Sequence, residues 1–147
     1  MVRAAAAQGG IYGNTVQEAL YVLYAFDAEK LPLDGKAGKC TLTFTDKTLP
    51  PVDAFWSLTM YDRPKQLLVD NPVDRYLINS AMLSSLRKTD NGKIVLYLQH
   101  VSPGPELEAN WLPTPTENYY AVMRLYLPKA EALDGVWMPP SIKANSQ

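Results

Sequence analysis

Along most of this chain the apolar residues recur at every second position, and that period limits what it can fold into. Cys40, Leu42 and Phe44 alternate with Thr41, Thr43 and Thr45. Trp56, Leu58 and Met60 alternate with Ser57, Thr59 and Tyr61, and Ile94, Leu96 and Leu98 with Val95, Tyr97 and Gln99. A β-strand sends successive side chains to opposite faces, so such segments are buried on one side and exposed on the other. The spacing predicts strands over 21–26, 40–45, 54–61, 66–69, 75–78, 93–101 and 119–127. In the strongest of these, Ala54, Trp56, Leu58 and Met60 form the expected core face. Phe55, Ser57, Thr59 and Tyr61 form a mixed face that suits a cleft.

The connections are turns rather than helices. Asp70-Asn71-Pro72 reads as a turn. Asn91-Gly92 predicts a hairpin with a type I′ turn, because both residues tolerate positive φ. A proline-rich loop is expected over 102–118. One helical turn is expected over 80–86, a short helix over 129–134 ended by Gly135, and the tail of a helix over 1–8. Strands with no long helices between them argue against a parallel βαβ sheet. The fold class is therefore all-β, an antiparallel jelly-roll-like β-sandwich with a few short helices. The domain layout reads as an N-terminal helix or linker remnant over 1–20, one sandwich domain over 21–142 and a polar tail over 143–147.

Composition removes several functions. At 147 residues, one domain that buries about 70% of its unfolded surface is expected, with no need of a staple. Net charge is −1 and the cations are scattered, so the basic stripe of a nucleic-acid binder is missing. No apolar run reaches the ~18 residues of a membrane helix, and the N-terminal residues lack the apolar core of an export signal. With one cysteine, Cys40, and one histidine, His100, a disulfide within the chain and a structural zinc or three-histidine centre built from one chain are ruled out. Cys40 reads as a buried, inert thiol. No cofactor is called for: Gly9, Gly10 and Gly13 lack the Lys and Ser/Thr of a phosphate loop.

The segments Phe55-Trp56-Ser57-Leu58-Thr59-Met60-Tyr61-Asp62, Val69-Asp70-Asn71-Pro72, Asp74-Arg75-Tyr76 and Ala109-Asn110-Trp111-Leu112-Pro113 resemble the family known as domain of unknown function 1214. Arg124-Leu125-Tyr126, Leu133-Asp134-Gly135 and Pro139-Pro140 continue the likeness, in order, from about residue 4 to 142. The resemblance implies a jelly-roll-like fold. It also implies frequent association with a partner domain of the DUF1254 type in longer, often exported proteins. It implies no established reaction, cofactor or catalytic residue.

Seven residues are candidates for a ligand site: Arg124, Tyr126, Tyr61, Asp74, Arg75, His100 and Trp111. Arg124 stands in mid-strand on one face with Tyr120, Val122 and Tyr126. If that face is core, the guanidinium needs a buried acidic partner; if it lines a cavity, it is a clamp for a carboxylate. Trp111 is either a sugar platform or an anchor for its loop. Asp62, Asp70 and Asp74 suit turns better than paired acid–base chemistry, though Asp74 and Arg75 fit a pocket mouth. No Gly-x-Ser-x-Gly elbow accompanies His100.

These features point first to an accessory or small-ligand-binding module for an organic anion or a carbohydrate. A hydrolase using Asp62 or Asp74 with His100 or Arg124 is the alternative. A self-assembly module, a homo-oligomer joined through strand edges, is the third reading.

Overall fold

The computed structural model describes residues 14–36 and 38–145; the helix expected over 1–8 lies outside them. The strands follow the period-two segments: β1 (Ala19–Tyr24), β2 (Cys40–Phe44), β3 (Val52–Asp62), β4 (Leu77–Asn79), β5 (Ile94–Gln99), β6 (Trp111–Pro113), β7 (Tyr119–Pro128) and β8 (Lys143–Ala144). They form two four-stranded sheets, ordered β1-β7-β3-β4 and β6-β5-β2-β8. The sheets extend past 21–142 at both ends, to Ala19 in β1 and to Lys143–Ala144 against β2. The short helix α1 (Ala130–Leu133) is followed by Gly135 at φ 72°, a left-handed stop that glycine adopts without steric cost.

The core lies between the sheets, which makes the molecule a β-sandwich. From the first sheet it takes Trp56, Leu58 and Met60 of β3 and Ala121, Met123 and Leu125 of β7. From the second it takes Leu42, Phe44, Leu96 and Leu98. Phe44 and Trp56 meet across the layers with ring centroids 5.5 Å apart. β7 shows the cleanest alternation: Tyr119, Ala121, Met123 and Leu125 are buried, while Tyr120, Val122, Arg124 and Tyr126 face outward.

Four expectations need correction. Ala54 is exposed rather than core, because the β3–β7 register slips between Val52 and Phe55; a bulge re-aims the residues on one side of it. The strand expected over 66–69 reduces to one bridge between Tyr61 and Leu68. There Gln66 sits at φ 59°, and the Asp62 carboxylate accepts the Lys65 and Leu67 N–H groups, so a side chain takes donors that a ladder would use. The turn before β5 is not type I′. Only Gly92 has positive φ, its N–H donates to Thr89 O at 2.8 Å, and Thr89 N–H donates to Lys93 O at 2.9 Å. This is the longer hairpin loop that ends on a left-handed glycine. Finally, the 102–118 loop contains β6, which runs parallel to β5 through Tyr97–Trp111, Leu98–Leu112 and Gln99–Pro113. Every other ladder among the described strands is antiparallel.

Candidate functional site

The outward face of the first sheet is built from cross-strand rows. One row crosses all four strands as Tyr21, Arg124, Ser57 and Asn79. The next crosses them as Leu23, Val122, Thr59 and Leu77. Two aromatic pairs flank these rows. Phe55 stacks on Tyr126 at 4.4 Å on one side, and Tyr61 on Tyr120 at 5.2 Å on the other. Phe55 and Tyr61 are six residue steps apart along β3, about 20 Å at ~3.3 Å per step. Leu23 is 63% exposed, Tyr21 50% and Phe55 46%, so the face is open and rich in apolar and aromatic groups.

Arg124 is the one charged residue in these rows. Its Nη1 donates to Thr59 Oγ1 at 3.2 Å and its Nη2 to the Tyr61 hydroxyl at 2.9 Å. Its Cζ lies 5.8 Å from the Tyr21 ring centroid and 5.7 Å from that of Tyr61, within cation–π range. Among the described residues the ion pairs are Arg87–Glu106 and Lys129–Asp53, and no carboxylate pairs with Arg124. The two hydroxyls that receive its N–H groups each keep their own O–H proton free, since a hydroxyl both accepts and donates. Arg124, Thr59 and Tyr61 therefore form a cluster of donors around a positive charge, an arrangement that favours a carboxylate. Beside it, Asn79 Oδ1 is buried without a hydrogen-bond partner among the described residues.

The structure brings Arg124, Tyr61 and Tyr126 onto this face and places the other four candidates elsewhere. Arg75 is a tie: its Nη1 donates to Glu108 O and, at 2.9 Å, to Trp111 O. Asp74, at φ 49°, accepts from the Tyr76 hydroxyl at 3.2 Å on the surface. Trp111 is 2% exposed, and its indole N–H donates to Gln99 O at 2.7 Å, so it anchors its loop rather than offering a platform. His100 follows β5 in the second sheet, with Nδ1 2.9 Å from Thr114 O. It lines a shallow depression of about 160 Å³ with Gly35, Gly38, Lys39, Gln99 and Val101. No hydrogen bond or ion pair joins His100 to Asp62, Asp74 or Arg124 among the described residues. Cys40 is buried, and burial pushes its thiol up, away from the reactive thiolate. Among the described residues no group of three or more His, Cys, Asp or Glu is placed to hold a metal, and no helix is long and apolar enough to cross a membrane.

Sequence reasoning placed Ser57 and Thr59 on a cleft-like face without naming them as site residues, and it missed Asn79 and Tyr21. The signal for Ser57 and Thr59 was two small polar residues alternating with core residues in the longest strand. Nothing local pointed to Tyr21 or Asn79, whose membership depends on cross-strand register.

Fold and face together define a two-sheet β-sandwich domain that presents an aromatic surface around one arginine with no carboxylate partner among the described residues. The chain belongs to the family described as Protein of unknown function (DUF1214), whose model matches residues 18–130. It is similar to the VPA0106 protein from Vibrio parahaemolyticus, with 26% identity and a TM-score of 0.81 over 99% of this chain and 35% of that one. A putative uncharacterized protein from Burkholderia cenocepacia shares the fold, with a TM-score of 0.54 and 16% identity over 90% of this chain and 30% of that one. The chain thus spans about a third of the length of either solved structure. No curated protein matches it.

Proposed function

We propose that this domain is an accessory, non-catalytic binding module whose ligand presents a carboxylate to Arg124 on the outer face of the β1-β7-β3-β4 sheet. The observation behind the reading is the guanidinium held by the hydroxyls of Thr59 and Tyr61 instead of by an acid. A half-buried cation without a counter-charge is what an anion site needs, and the planar fork of arginine matches a carboxylate. An organic anion fits better than a neutral sugar, because Trp111, the sugar-platform candidate, is buried. The hydrolase reading has less support, since Asp62 caps its own turn and His100 lies on the other layer. We read the paired four-stranded sheets as jelly-roll-like. A DUF1254-type domain supplied by a longer polypeptide is compatible with an accessory role.

Thermal denaturation with a panel of organic acids and sugars tests this. A ligand at 100 times its Kd adds about 2.7 kcal/mol, and the added stability is expected with acids and is expected to vanish in Arg124→Gln. A panel in which no acid shifts the melting temperature, or in which the shift survives Arg124→Gln, rejects the reading.

A further inference from the structure

Resting on that anion-site reading, we infer that the ligand is an amphiphilic monocarboxylate: one carboxylate on Arg124 and an apolar body laid across the neighbouring row.

Three features of the face choose this class. The first is charge. Arg124 stands alone among the residues of the four rows, Ala19, Tyr126 and Phe55; Tyr21, Ser57 and Asn79; Leu23, Val122, Thr59 and Leu77; Tyr120 and Tyr61. One cation balances one negative charge, and a dianion such as a phosphate monoester would leave a charge unmatched over apolar surface. The second is what lies beside the clamp. The adjacent row offers Leu23, Val122 and Leu77, with Thr59 engaged by Arg124. A body that continues from the carboxylate in this direction meets hydrocarbon, and hydroxyls placed there would lose water without gaining partners. The third is how the rings stand. Phe55 and Tyr126 cover each other at 22° and Tyr61 and Tyr120 at 13°. The face each ring turns to its partner is therefore closed to the flat stacking a sugar ring uses, and the two pairs serve as apolar posts on either side of the rows.

Titration of the isotope-labelled chain with sodium butyrate, sodium octanoate, sodium glucuronate and octyl glucoside, followed by NMR, separates the possibilities. Octanoate is expected to shift resonances of Arg124, Leu23, Val122 and Leu77 together. It should bind at least tenfold more tightly than butyrate, at about twofold per added methylene for a chain half-covered on an open face. Arg124→Gln should weaken octanoate tenfold or more. Arg124→Lys, which keeps the charge and guards against a folding artefact, should recover part of the loss. Leu23→Ser, a change at an exposed position, should weaken octanoate more than butyrate. Equal affinities for octanoate, butyrate and glucuronate at Arg124 would overturn the amphiphile while the anion site stood. Octyl glucoside matching octanoate, or no carboxylate-induced shift at Arg124, would overturn both.

Discussion

The hydroxyls of Tyr24 and Tyr119 end inside the sandwich, that of Tyr24 with no hydrogen-bond partner among the described residues and that of Tyr119 beside the Cys40 thiol, and burial pushes both phenols above their ordinary range. In the unfolded chain they ionise near pH 10, while in the folded protein they keep their protons. The stability this represents is present below pH 10 and is lost as pH rises above it, by up to about 1.4 kcal/mol per pH unit for each tyrosine. Tyr24→Phe removes one such group along with an unsatisfied hydroxyl, so its stability at pH 7 should equal or exceed that of the parent. Its urea midpoint should fall less steeply between pH 10 and 11; identical slopes would mean that Tyr24 titrates freely. Arg75 is the opposite kind of residue, a charge used as a tie between the turn before β4 and the start of β6. Arg75→Ala should cost about 2 kcal/mol in urea unfolding, the scale of hydrogen bonds from a charged donor.

At the scale of elements, two connections depend on glycine for different reasons. A Cβ on Gly35 would lie 1.7 Å from the Pro115 carbonyl oxygen. Backbone opposes it there, where Gly35 N–H also donates to Glu117 O at 3.0 Å. Gly35→Ala must push apart two chain segments and is expected to lower stability by about 3 kcal/mol. Gly92 has open space around it but sits at φ +73°, so Gly92→Ala should cost only the ~1–2 kcal/mol of a left-handed L residue. Chemical denaturation of the two variants checks that order, and a larger loss at Gly92 would contradict it. The β3 bulge shows where element-level reading stops. Alternation assigns Trp56, Leu58 and Met60 inward correctly, yet Ala54 points out because one register step has slipped.

Over the whole molecule, the core is shared by two layers, and β7 is bonded on both sides, to β1 and to β3. Amides that must break ladders on both flanks exchange through the larger openings. Hydrogen exchange should therefore be slowest at Ala121, Met123 and Leu125, and fast in the two-residue edge strand β8. Uniform protection across both sheets would refute this ranking. The sandwich itself was legible from period two, since alternating segments of 5–11 residues can hide their apolar rows only by stacking. The parallel β6 was not legible, because its three residues lie among prolines and have no alternation long enough to detect.

Alternation, turn residues and composition were enough to specify an all-β sandwich, the inward Trp56, Leu58 and Met60 of β3, and an arginine in mid-strand. These are local properties, set by the direction in which each Cβ leaves its own strand. Which groups surround Arg124 could come only from the tertiary arrangement. Tyr21 lies 103 positions away and Thr59 and Tyr61 more than 60 in the chain, and strand order and register bring them together. The choice between a buried ion pair and an open clamp turned on whether an acid shared the face, and no residue close in sequence answers that.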